Sequence, residues 1–133
     1  MTVDRAEAFN RGIVLLLARL AEASPVPILL AIESLDPDAD AATQEVYAAT
    51  AEYLIREGYM VGRSIASNAD LYQGAALTAR GLELMRSTPP ALKQGPTVLE
   101  RIRGALSSGS RDAIVKAGSE ILVAIGKSQL PGS

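Results

Sequence analysis

Apolar positions in this chain repeat at two different spacings, and the change of spacing divides it into elements. Ile13, Leu16, Leu17 and Leu20 fall three and four residues apart within 4–23, with Arg11, Arg19 and Glu22 pointing elsewhere. That is the pattern of an amphipathic helix. "ASPVP" (23–27) breaks it, because proline inside a helix removes a donor and clashes with the preceding turn. Ser24 can cap a new helix, with Pro25 in the first-turn position, so a second helix is expected over about 26–34. The acidic turn "LDPDADAAT" (35–43) leads to a third helix over about 41–57, capped by Asp40 or Thr43. Tyr47, Ala51 and Leu54 form its inward stripe, and Gly58 stands where a left-handed residue ends a helix at little cost.

The period then shortens. "YMVGRS" (59–64) and "DLYQGAAL" (70–77) read as two short strands of a hairpin whose tip is "IASNA". Thr78 is placed to cap a fourth helix, 79–87, carrying Leu82, Leu84 and Met85. Gly81 falls in its first turn, where a missing side chain lets another backbone come close. A Pro/Gly-rich linker over 88–96 separates this first unit, 1–87, from a tail over 97–130. Two helices are expected in the tail. The first, 97–107, carries Val98, Leu99, Ile102 and Leu106, and the second, 111–127, is capped by Ser110 and carries Ile114, Ala117, Ile121 and Ile125. "SSGS" joins them tightly enough to predict an antiparallel helical hairpin. The expected class is therefore mainly α with a small β-hairpin.

At 133 residues the chain suits one domain with its own core. Aromatics are scarce, with Phe9 the single Phe and no Trp, so Leu, Ile, Val and Ala must build that core. There is no cysteine and no histidine, which removes disulfides, thiolate nucleophiles, the common zinc sites and every triad that uses imidazole. A non-enzymatic, cytoplasmic protein is the expectation, with no catalytic residue, cofactor or metal site assigned. Asp36, Asp38 and Asp40 alternate like the start of a calcium loop, but Ala41 replaces the required glycine, so they read as a solvated turn. "GIVLLLARL" (12–20) is too short to cross a bilayer and is interrupted by Arg19, so no membrane partner is expected.

Charge is unevenly spread. Residues 1–57 hold four Lys/Arg against ten Asp/Glu, whereas 58–133 hold nine against five. Such polarity suits a charged partner or self-association.

The order helix, helix, helix, β-hairpin, helix resembles winged helix-turn-helix proteins. The likeness is carried by "YLIREGYM" (53–60) and "LTARGLEL" (77–84), where Leu54, Gly58, Tyr59 and Met60 enter the wing and Leu77, Thr78 and Gly81 close it. With its linker and helical tail, the layout is similar to small bacterial and phage-borne winged-helix proteins of unknown function. The resemblance implies a dimeric DNA-binding regulator whose third helix is the recognition helix.

On that helix the outward residues are Gln44, Glu45, Ala48, Ala49 and Glu52, with Arg56 at the far end, and its carboxylates would repel phosphate. DNA contacts would then fall to Gln44, to Arg63 and Asn68 of the hairpin, and to Arg101 and Arg103 of the tail. The same basic residues can instead pair with the acidic first half of the chain. The alternative function is a protein-interaction module, an adaptor, inhibitor or nucleic-acid mimic, whose Glu45 and Glu52 face meets a basic protein partner. Leu122 and Val123 make the last helix apolar on a second side, which either the first helix or another subunit must cover. A homodimer through Ile114, Ile121, Leu122 and Ile125 is the expected arrangement.

Overall fold

The computed structural model describes residues 4–65, 68–89 and 95–128, which form five α-helices and one three-stranded antiparallel sheet. Helix α1 (Arg5–Ala23) starts where the Asp4 carboxylate accepts the Glu7 N–H at 3.1 Å. It buries Ala8, Ile13, Val14, Leu16, Leu17 and Leu20, and every later element packs around it directly or through a neighbour.

The helix expected over 26–34 does not form. Ser24 closes α1 by donating its N–H to Leu20 O, and the Ser24–Pro25 bond is cis. Strand β1 (Ile28–Ala31) and one 3-10 turn (Ile32–Ser34) take the place of that helix. A run of five apolar residues bounded by Pro27 and Glu33 is too short to favour a helix strongly, and Pro27 can stand at the entrance of an edge strand. Arg19 holds the turn to α1 with two bonds to Ser34, one to its Oγ and one to its carbonyl.

Helix α2 (Ala41–Arg56) is the element read from the sequence as the third helix. Asp40, not Thr43, caps it by accepting the Thr43 N–H at 2.8 Å. Tyr47, Thr50, Ala51 and Leu54 are buried, and Gly12 of α1 lets Tyr47 and Thr50 come close. Gly58 and Tyr59 come next, with Gly58 in the left-handed region at φ 85°.

Strands β2 (Met60–Ile65) and β3 (Asn68–Leu77) make the expected hairpin, slightly longer than its alternation implied. β1 joins the free side of β3, giving the order β1–β3–β2. Both ladders slip their register beside Gly74, whose φ of 66° accommodates a bulge. Leu30, Met60, Tyr72, Ala75 and Leu77 line the buried side.

Thr78 then starts α3 (Ala79–Arg86), accepting the Gly81 N–H at 3.0 Å and donating to Gly58 O at 2.6 Å. The chain leaves this unit at Ser87 and returns at Val98, whose N–H donates to Ser87 O at 2.7 Å. Most of the linker, 90–94, and the hairpin tip, 66–67, lie outside the described residues.

Helix α4 (Val98–Ser108) opens with a capping box between Thr97 and Glu100, and Gly109 ends it at φ 67°. Helix α5 (Arg111–Ser128) packs back on α4, with Arg101 clasping Glu120, and runs along α1. Gly118 rests on the Asn10 backbone, where a Cβ would overlap main-chain atoms. Of the two covers the sequence left open for α5, α1 supplies one. Ile121 and Ile125, expected between copies, belong to the same buried cluster as Ile13, Leu16 and Leu17. Ile114 and Leu122 are half-buried against it, and Val123 is exposed.

Candidate functional site: a groove along α2

Two stripes run side by side on α2. The inner one meets α1. The outer one consists of Ala42, Glu45, Val46, Ala49, Tyr53 and Arg56, at helical spacings of three and four. With Arg5 and Phe9 of α1 it lines an open groove of about 490 Å³. Phe9 and Tyr53 meet edge to face in its floor, with ring centroids 5.2 Å apart and planes at 82°. The contact is the edge-to-face arrangement that aromatic quadrupoles favour. Burial holds the Tyr53 phenol above its usual range, with the charge of Glu57 adding to the effect. Val46 is half-buried beside them, and Ala42 and Ala49 leave low points in the wall.

The charged ends of the groove differ in sign. Glu45 stands near the start of α2 and Arg56 at its end, eleven residues on, which is three turns or about 16 Å along the axis. Both are exposed, and neither has an ion-pair partner among the described residues.

The residues singled out from the sequence are dispersed over the fold. Gln44 is half-buried and turns back to donate to Ala39 O at 3.1 Å, so it closes the loop before α2. Glu45 lies on the groove. Glu52 is exposed on the flank toward the sheet, within electrostatic reach of Tyr72. The Tyr72 hydroxyl is buried without a well-formed hydrogen bond, and burial, followed by Glu52, pushes its pKa up to about 12. Arg63 is exposed on β2, opposite Gln73. Asn68 begins β3, and its side chain lies outside the described residues. Arg101 is committed to Glu120 inside the tail, whereas Arg103 is exposed on α4. The candidates thus lie on three separate elements, α2, the hairpin and α4.

The acidic turn differs from the solvated loop expected. Asp36 turns inward, accepting the Tyr47 hydroxyl at 3.0 Å with the Arg11 guanidinium at 3.8 Å. Asp40 is spent on the α2 cap, and the hydroxyl and amide of Thr43 hold its carboxyl below the usual range. No cluster of three or more metal-ligating side chains occurs among the described residues. A second hollow of about 420 Å³ lies where α3 meets α5, lined in part by Tyr59, Arg80 and Glu83. Arg80 lies over the Tyr59 ring at 4.6 Å and donates to its hydroxyl at 3.1 Å.

Sequence reasoning placed Glu45, Ala49 and Arg56 on the outer face of α2 but missed Arg5, Phe9, Ala42, Val46 and Tyr53 as lining. Their signal was present. Arg5 and Phe9 are four apart on α1, and Val46 and Tyr53 seven apart on α2, each pair one residue to the side of the buried stripe.

No family model matches this chain, and neither a curated protein nor a solved structure matches it. No described helix is long and apolar enough to cross a membrane.

Proposed function

We propose that this is a non-enzymatic binding protein that docks a protein partner in the groove between α1 and α2. The observation that carries the reading is the groove's make-up: an aromatic and aliphatic floor between charged ends of opposite sign, on a helix whose exposed polar residues include two carboxylates. Interfaces are built this way, with an apolar centre and a charged rim, and aromatics at the centre carry most of the affinity.

The winged-helix reading is part of the proposal at the level of the hairpin. What supports it is the chain path from α2 through Gly58 and Tyr59 into β2, and from β3 through Thr78 into α3. Its helix-turn-helix half lacks a helix before α2, where only the 3-10 turn stands. DNA binding is the second reading, favoured by exposed Arg63 on the hairpin and exposed Arg103 and Lys116 on the tail.

Two measurements separate the readings. In fluorescence anisotropy at low salt, short duplex DNA is expected not to bind. Salt-sensitive binding that Arg63→Glu abolishes would transfer the function to DNA. A benzophenone side chain at position 49, in cells making the chain at its natural level, is expected to give protein adducts that the same group at exposed Ser119 does not. Equal yields at the two positions would remove the groove from consideration.

A further inference from the structure

Taking the groove as a protein-docking site, we infer that its occupant is a second copy of this chain, laid with α2 antiparallel to α2 across a two-fold axis. The groove is self-complementary. A two-fold contact places the same surface on itself reversed, so each residue meets the one equally far on the other side of the axis. Setting Glu45 against Arg56 of the second copy puts the axis midway between them on the helix, between Ala49 and Tyr53. The reverse pair, Arg56 against Glu45, forms by symmetry.

The remaining residues of the stripe then fall close to that register. Each Tyr53 ring falls within one residue, about 1.5 Å along the axis, of the other copy's Ala49, a low point of the wall, so a large side chain faces a small one at both symmetric places. Val46 closes over the ring from the side, and Phe9 already backs it at 5.2 Å. Arg5 stands at the groove's edge and adds positive charge facing the incoming carboxylate. A parallel arrangement would put Glu45 on Glu45 and Arg56 on Arg56, and Tyr53 on Tyr53. Like charges apposed in an interface are penalised, so the antiparallel register is the one selected. Helix packing of this kind, with alanines at the crossing, also allows close axes.

This interface differs from one through α5, whose apolar side is covered by α1. It also occupies the outer face of α2, so a dimer of this form does not present that helix to DNA.

The test is the oligomeric state by sedimentation velocity across the micromolar range, with charge variants. Wild-type protein is expected to dimerise. Glu45→Arg and Arg56→Glu, each of which makes both ends repulsive, are expected to weaken dimerisation by roughly tenfold or more. Both sites are exposed, so unchanged thermal melts at a concentration where wild type is monomeric show that the fold is kept. An equimolar mixture of the two variants is expected to restore a dimer, because each mixed end is again a pair of opposite charges. The swap Glu45→Arg/Arg56→Glu in one chain is expected to dimerise like wild type. A wild-type monomer at high micromolar concentration, single reversals that stay dimeric, or a mixture that stays monomeric would each overturn the inference. A wild-type monomer whose position-49 benzophenone still captures a different protein leaves the docking groove standing and removes only the second copy. Absence of any position-specific adduct removes both.

Discussion

Gly81 and Tyr59 meet through backbone alone. A Cβ on Gly81 would overlap the Tyr59 carbonyl oxygen, and the same carbonyl accepts the Thr78 N–H at 3.2 Å. This closes the chain segment from the end of α2 to the start of α3 into one unit, with the hairpin projecting from it. Gly81→Ala is therefore expected to destabilise by about 1–3 kcal/mol, since the obstacle is main chain and cannot rotate away. Gly104 on α4 has open space in place of a Cβ. Gly104→Ala is expected to stabilise by about 0.5–1 kcal/mol through the unfolded chain's lost freedom. Urea denaturation of the two variants gives opposite signs if the close approach is real.

Thr78 serves both sides of that junction, accepting from Gly81 N–H and donating to Gly58 O at 2.6 Å. Thr78→Ser keeps both bonds and is expected to be nearly neutral. Thr78→Val keeps the shape, loses both, and is expected to cost about 1–2 kcal/mol. Amide hydrogen exchange at Gly81 should accelerate in the valine variant and not in the serine one.

The tail carries two arginines of different standing. Arg101 is clasped by Glu120, whose side chain is 12% exposed, while Arg103 faces solvent. Arg101→Ala leaves a mostly buried carboxylate without its partner and is expected to cost about 1–3 kcal/mol. Arg103→Ala is expected to stay within about 0.5 kcal/mol of wild type. Thermal denaturation distinguishes them. Equal effects would show that Arg101 is no strut.

Alkaline pH should weaken the fold in a defined window. Burial pushes the Tyr47 phenol up to about 12, with the Arg11 charge opposing and its bond to Asp36 adding to the rise. Tyr72 reaches about 12 as well, by burial and then Glu52. An unfolded tyrosine titrates near about 10. The folded state thus binds the proton more tightly, so its contribution is complete below about pH 10 and is lost as pH rises toward about 12. The urea midpoint is expected to fall over that interval, and Tyr72→Phe should flatten the fall. Tyr72→Phe is expected to change little at neutral pH, because its hydroxyl has no well-formed bond to lose. Tyr47→Phe loses the bond to Asp36 and is expected to cost about 1 kcal/mol there.

What could be read from the residues alone was what is local. Spacing in Ile13–Leu20 and Tyr47–Leu54, a cap at Asp40 or Thr43, the Thr78 cap, the left-handed Gly58 and the alternation on both sides of "IASNA" each express a preference satisfied within one turn or one hairpin. Preferences of this kind determined the five helices, the hairpin and the role of Gly81. Residues 28–31 were different. A short apolar run suits a buried helix turn or a strand equally well, and the choice fell to β3, which lies far along the chain and offers an unpaired edge. The covering of α5 by α1, the turning inward of Asp36, the commitment of Arg101 to Glu120 and the groove beside Tyr53 were likewise decided only when helices met. Periodicity reports which side of an element is apolar. What that side touches depends on how elements rotate and cross, and contacts between residues distant in sequence set that geometry.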